Sequence, residues 1–282
     1  MSIRRRYLSV LVVVAGLLAV GAVLVPGAKA HVTASASATF PGSSIVLAPG
    51  QRLEIAVPVD QTTSGVGPIG TAARNAVQLA IESHPRIKGF VVQQDDVAAI
   101  PCFDPTANAA VATSIVANPD VAGVVGHLCS AGLAGALPVY ESAGMVVLSG
   151  SATDPSLPGL GPSVFDRTVV NDADDGSNWL TAVEQSPSVL AWQHRYQARF
   201  GIAPTSFAEL YYDAANLLLN RINQVATLNS SHNLVIDRRM LSAAVRQTTD
   251  FPGVSGCISL DAVGNRFNTL DSPAANRCTD FG

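Results

Sequence analysis

The chain has 282 residues, 48% apolar and 13% charged, with a net charge of −4. That length allows one large or two small domains, and the apolar content rules out a disordered chain. No basic stripe is present to neutralise phosphates, so nucleic acid is not expected as a partner.

Residues 1–30 read as a targeting segment. Arg4, Arg5 and Arg6 form a positive start, residues 8–25 are apolar, and Ala28-Lys29-Ala30 has the small-x-small form that signal peptidase accepts. This predicts export to a secreted or periplasmic location. The length of the apolar run leaves an uncleaved membrane anchor as the alternative. The arginines also resemble a twin-arginine signal, but an ordinary basic start is the simpler reading. Residues 31–50, rich in Ala, Ser and Thr, read as a flexible leader.

Beyond the leader the pattern alternates. Residues 53–59 form a strand-like run, followed by a polar, Gly-rich loop, and residues 71–83 carry apolar positions at helical spacing. Residues 89–92 predict a second strand. Asp104-Pro105-Thr106 predicts the start of a helix running to 117, with Asp104 as its cap. A third strand at 121–125, a helix at 130–142, a fourth strand at 145–148 and a fifth near 164–170 follow. Nearly all-apolar strands alternating with helices mean a parallel sheet covered on both faces. Ligands of such sheets sit beyond the carboxyl ends of the strands, so the loops of interest are 60–70, 94–104, 126–131 and 149–155. Helices are predicted again at 188–200, 207–226 and 237–247, and a strand at 257–260.

The four cysteines, Cys102, Cys129, Cys257 and Cys278, are an even number suited to an oxidising compartment. Proximity suggests 102–129 and 257–278, although four cysteines allow three pairings. A metal site fails on spacing: no C-x-x-C occurs, and His127 is the only histidine near a cysteine. No metal or cofactor is expected.

Gly65-Val66-Gly67-Pro68-Ile69-Gly70 matches G-x-G-x-x-G, with Asp95 and Asp96 at the end of the next strand. Five polar residues separate the motif from its strand and Pro68 removes an N–H, so a plain flexible loop is preferred to a dinucleotide site. No G-x-S-x-G surrounds Ser130 or Ser151, and Cys129 with His127 is read as a disulfide cysteine rather than a thiol nucleophile. Asp172, Asp174 and Asp175 read as a solvated turn. No enzyme constellation is found. Ser130, a plausible helix cap, opens a helix whose free N–H groups could hold a carboxylate, and Ser149-Gly150-Ser151-Ala152-Thr153 follows the neighbouring strand. Together the two loops form a candidate anion-binding pair.

Several stretches resemble the leucine/isoleucine/valine-binding proteins, type I periplasmic solute-binding proteins of ABC transporters. They include Cys102-Phe103-Asp104-Pro105, Gly126-His127-Leu128-Cys129-Ser130, Val147-Leu148-Ser149-Gly150-Ser151-Ala152-Thr153-Asp154-Pro155, Val164-Phe165-Asp166-Arg167-Thr168 and Tyr212-Asp213-Ala214-Ala215-Asn216. The resemblance implies that Ser130 binds a ligand α-carboxylate with Thr153 and the backbone at Ser151. It implies that Ala152 and Thr153 also meet the α-amino group, and that Cys102–Cys129 is a disulfide. Ile69 stands where relatives often carry an aromatic residue.

In relatives a second lobe follows the segment matching 167–175, whereas here only residues 176–187 precede the C-terminal helices. The expectation is therefore an α/β, doubly wound parallel sheet, a single Rossmann-like lobe of the type I periplasmic binding protein fold, with most of the second lobe deleted. Its parts would be a lobe-one core at 51–175, a linker at 176–187, helices and a strand completing the lobe at 188–267, and a tail at 268–282. The function implied is a non-enzymatic solute receptor for an amino acid or similar small molecule, working with an ABC transporter permease. Binding is expected to be weak without a second lobe, unless a partner chain or homodimer replaces it. The alternative is a reduced paralogue acting as a protein-interaction or sensor module.

Overall fold

The computed structural model describes residues 44–95, 97 and 100–268. The targeting segment, Asp96 and Cys278 lie outside the described residues. The first element falls inside the expected leader: β1 (Ser44–Leu47) alternates exposed and buried residues and buries Ile45 and Leu47. β2 (Leu53–Ala56) follows, then α1 (Gly67–Ser83), which starts four residues before the predicted helix. Pro68 in the first turn suits a helix start, because its missing N–H has no partner to lose there. Gly70 is needed by contact: a Cβ there would lie 1.7 Å from the Asp60 carbonyl oxygen. Two of the glycines that mimicked a phosphate loop, Gly67 and Gly70, therefore serve close packing of α1 on the chain leaving β2.

β3 (Arg86–Ile87) and β4 (Phe90–Gln94) form a hairpin, and α2 (Pro105–Ala117) is capped by Asp104, whose side chain accepts from Ala107 N. β5 (Val121–Val125) leads to α3 (Ser130–Ala143), then β6 (Val147–Ser149) and β7 (Phe165–Arg167). These strands form a six-stranded sheet in the order β3-β4-β2-β5-β6-β7, parallel except for the antiparallel β3–β4 pair. Alternate side chains serve its two faces. Ile55, Ala122, Val125 and Leu148 pack with α1 on one face. Ala56, Val121, Val124 and Val147 pack with α2 and α3 on the other.

The second half departs from expectation. The supposed linker contains α4 (Gly176–Glu184), which buries Trp179 and Val183. α5 (Pro187–Phe200) and α6 (Ala208–Val225) follow. After them come β8 (Thr227–Leu228), β9 (Leu234–Asp237), α7 (Arg238–Arg246) and a hairpin of β10 (Phe251–Gly253) with β11 (Gly256–Ile258). β1, β9 and β8 make a separate three-stranded antiparallel sheet. Val169, Val170, Trp179, Val183, Val189 and Leu210 make a core of their own.

A single, purely parallel lobe is thus not what forms. The sheet is mixed, and α1 packs along α6, far away in sequence, joining two packed lobes. Periodicity showed that the C-terminal helices have apolar faces but not what those faces cover. Here they bury one another as well as the sheet.

Candidate functional site

From β2 the chain crosses to β4 on one side and then returns to β5 on the other, so strand order reverses between β2 and β5. A crevice forms beyond the carboxyl ends at such a point. Three segments meet there: the chain after β2, the loop from β5 into α3, and the loop after β6.

The β5–α3 junction is held from below. The Cys102–Cys129 disulfide, with Cα atoms 5.3 Å apart, ties it to the loop before α2. Asp60, just past β2, accepts from Cys102 N at 2.9 Å and from Thr62 N and Thr63 N. Burial opposes its ionisation, but these bonds outweigh that and hold its carboxyl at about 2. The His127 ring is buried between Asn108 Oδ1 and the Tyr140 hydroxyl, and desolvation pulls it down to about 3, so it is neutral. With Cys129 oxidised and His127 enclosed, a thiol nucleophile is excluded. Cys257 is also disulfide-bonded. Among the described residues no cluster of His, Cys, Asp or Glu could hold a metal ion.

Ser130 does not cap α3. The cap position is Cys129, no side chain bonds the first-turn N–H groups, and Ser130 is the first helical residue. Its half-buried hydroxyl accepts from Asp154 N at 3.3 Å, which leaves its own proton to donate. That bond draws the two expected loops together. Ser151 is committed differently: its hydroxyl donates to Leu128 O at 2.6 Å and lies 2.8 Å from the Tyr211 hydroxyl. Ala152 is buried; its N–H bonds Ser149 Oγ and its carbonyl accepts from Arg167. Thr153 donates to Asp172 at 3.0 Å; Asp172 is exposed, as expected of a solvated turn, and also pairs with this loop. Ser130 thus keeps a hydroxyl proton to donate near an uncapped helix start, Thr153 Oγ1 beside it can only accept, and Ser151 and Ala152 face the scaffold.

Two residues important to this arrangement escaped sequence reasoning. Arg167 at the end of β7 is buried and donates to the carbonyls of Ala152 and Asp154, fixing the loop that carries Thr153. Burial pulls its guanidinium down to about 10, against Asp261, Asp154, Asp172 and Asp174, so it stays charged at neutral pH. Tyr211 of α6, distant in sequence, donates to His127 O at 3.0 Å. An arginine following the apolar Val164-Phe165 pair was a visible signal; the tyrosine lay unmarked in an apolar helix face. Beside the crevice, a cleft of about 590 Å³ is lined by Gln61, Thr62, Thr63, Thr71, Ile202 and Thr205.

No family model matches the chain. The Leu/Ile/Val-binding protein of Escherichia coli K12 is 35% identical over 109 residues, 38% of this chain and 28% of that protein. The matched stretch therefore spans under a third of that relative. A Streptococcus pneumoniae branched-chain amino acid transporter substrate-binding protein, solved with isoleucine, superposes with a TM-score of 0.60 at 16% identity, covering 77% of this chain and 94% of that one. A Rhodopseudomonas palustris ABC-transporter solute-binding protein, solved with benzoate, gives 0.61 at 11% identity, covering 77% and 91%.

The fold is that of ABC-transporter solute-binding proteins. This corrects the expected deletion: the superpositions run over nearly the whole length of those proteins, so the chain is not a receptor stripped of most of its second lobe. The weak binding inferred from that deletion loses its basis. The short interval between residues 167 and 188 misled because it is not a bare linker: α4 occupies it and buries Trp179 and Val183 in a core of its own.

Proposed function

We propose that the chain is an exported, non-enzymatic receptor for a small carboxylate-bearing solute, with an aliphatic amino acid as the favoured ligand, and that it delivers this solute to an ABC transporter permease. The observation that carries the reading is the uncapped start of α3. Its free N–H groups and the Ser130 hydroxyl lie at the reversal of strand order, hydrogen-bonded to the loop that presents Thr153. A helix start supplies partial positive charge and oriented donors, which suit a carboxylate. The isoleucine and benzoate of the two superposed relatives share that group. In this reading Thr153 Oγ1, whose proton goes to Asp172, accepts from an α-amino group beside the carboxylate, while Ser151 and Ala152 support the loop from within.

Calorimetric titration of the chain with leucine, isoleucine, valine and benzoate tests the proposal. At least one should bind, leucinamide should bind far more weakly than leucine, and Ser130→Ala should weaken the carboxylate about tenfold, the scale of a charge-assisted hydrogen bond. Equal binding of leucinamide and leucine, or no binding of any carboxylate, would overturn it.

A further inference from the structure

A second cavity, of about 270 Å³, lies between α3, the segment entering β7, and α7, lined by Glu141, Gly144, Ser163, Val164, Arg239, Ser242, Ala243 and Arg246. Gly144 and Ser163 precede β6 and β7, whereas Ser130 and Thr153 follow β5 and β6. In this parallel part of the sheet the cavity is therefore at the opposite end from the carboxylate crevice.

Its groups divide by charge. Arg246 is spent on the scaffold: Nε pairs with Asp166, and the terminal nitrogens donate to the carbonyls of Pro162, Ala262 and Phe165. Arg239 is exposed and has no such commitment among the described residues. The Ser242 side chain is 8% exposed, yet its hydroxyl has no hydrogen-bond partner. A buried hydroxyl left this way costs free energy unless something enters to pair with it. On the other side, Glu141 accepts from Ser163 N through one oxygen only. It stands at the C-terminal end of α3, where no basic residue offsets the partial negative charge of the last carbonyls. Val164, Gly144 and Ala243 supply small apolar wall between the two sides.

We propose that this cavity binds a compact zwitterion, its carboxylate held by Arg239 and Ser242 and its ammonium by Glu141 and the end of α3. The volume falls below the roughly 300–1,000 Å³ of pockets for drug-sized molecules, which limits the body to a few methylenes. This site does not depend on the crevice reading.

The test is a titration of the full chain with β-alanine, γ-aminobutyrate and δ-aminovalerate, followed through backbone amide resonances. At least one should shift Ser163, Val164, Ser242 and Ala243 while leaving Gly126 to Ser130 unmoved. Arg239→Ala and Glu141→Gln should each weaken it at least fivefold, and Ser242→Ala two- to tenfold. Ser130→Ala should leave it unchanged. Arg239 is exposed on a helix, so its variant keeps the fold, as circular dichroism will verify. The proposal is overturned if no member of the series shifts these resonances, if acetate or ethylamine shifts them as strongly, or if Ser130→Ala abolishes the effect.

Discussion

The Tyr211 hydroxyl lies 2.8 Å from Ser151 Oγ and donates to the His127 carbonyl at 3.0 Å. One side chain of α6 thereby ties together the loops after β5 and β6. Tyr211 is wholly buried, and burial pushes its phenol up to about 12, so it stays a neutral donor at physiological pH. Tyr211→Phe keeps the ring and removes these bonds. It should lower stability by about 1–2 kcal/mol in urea unfolding with an unchanged slope. A loss under ~0.3 kcal/mol would show that the two loops do not rely on the tyrosine.

Gly70→Ala tests the packing of α1 against the chain after β2. The new Cβ would stand 1.7 Å from the Asp60 carbonyl oxygen, which is backbone and cannot swing aside. The expected cost is about 3 kcal/mol or more, read as a fall in thermal midpoint or as failure to accumulate folded protein. Gly65→Ala is the internal comparison. Nothing lies within 4 Å of its Cβ position, so its smaller penalty comes from φ alone, at +82°.

Removing the Cys102–Cys129 bond by Cys102→Ser with Cys129→Ser frees a loop closed over 27 positions. Chain entropy puts the loss at about 3–4 kcal/mol. Calorimetry of the double variant under non-reducing conditions should show a single transition at lower temperature. Unchanged stability would mean that Asp60, through Cys102 N, holds the junction by itself.

Stability should also fall as pH rises above neutrality. Burial pushes the Glu209 carboxyl up to about 8, with Glu184 and Asp213 adding to the effect, and burial pushes Asp166 up to about 7 despite Arg246. The folded chain keeps protons that the unfolded chain releases from about pH 4 upward, so this stabilisation is full below that value and is lost as pH rises through 7 and 8. His127 acts in the opposite sense. It is neutral when folded, with a value of about 3, so it destabilises the fold only as pH drops from about 6.5 towards 3. Between about pH 6.5 and 8 the acids act alone, and stability should decline by roughly 1–2 kcal/mol. Glu209→Gln should flatten much of that decline in denaturant titrations. Parallel curves for variant and parent would remove Glu209 as the cause.

Residues 53–59, 89–92 and 121–125 announced a parallel sheet because strands buried on both faces must be apolar throughout, a demand that composition alone displays. Asp104-Pro105 marked the start of α2 for an equally local reason, a side chain reaching its own helix's N–H groups. The two loops around Ser130 and Thr153 could be named because each directly follows such a strand. The Cys102–Cys129 disulfide, suggested by proximity and implied by the resemblance, is present in the fold.

What the order of residues left undecided depends on partners distant along the chain. Ser44 to Leu47 are a strand only because Leu234 to Asp237 lie beside them. Residues 176–184 are a helix rather than a linker because Trp179 and Val183 find a core with Val189 and Leu210. Ser151 turns to the scaffold instead of a ligand because Leu128 O, twenty-three positions back, takes its proton at 2.6 Å, with the Tyr211 hydroxyl 2.8 Å away. Sequence alone determined the apolar strands, the helix starts and the strand-end loops, since short-range sterics and burial patterns govern these. Tertiary packing decided the two lobes and which hydroxyls stay free, since a hydrogen bond or buried face has its energy only once both halves meet.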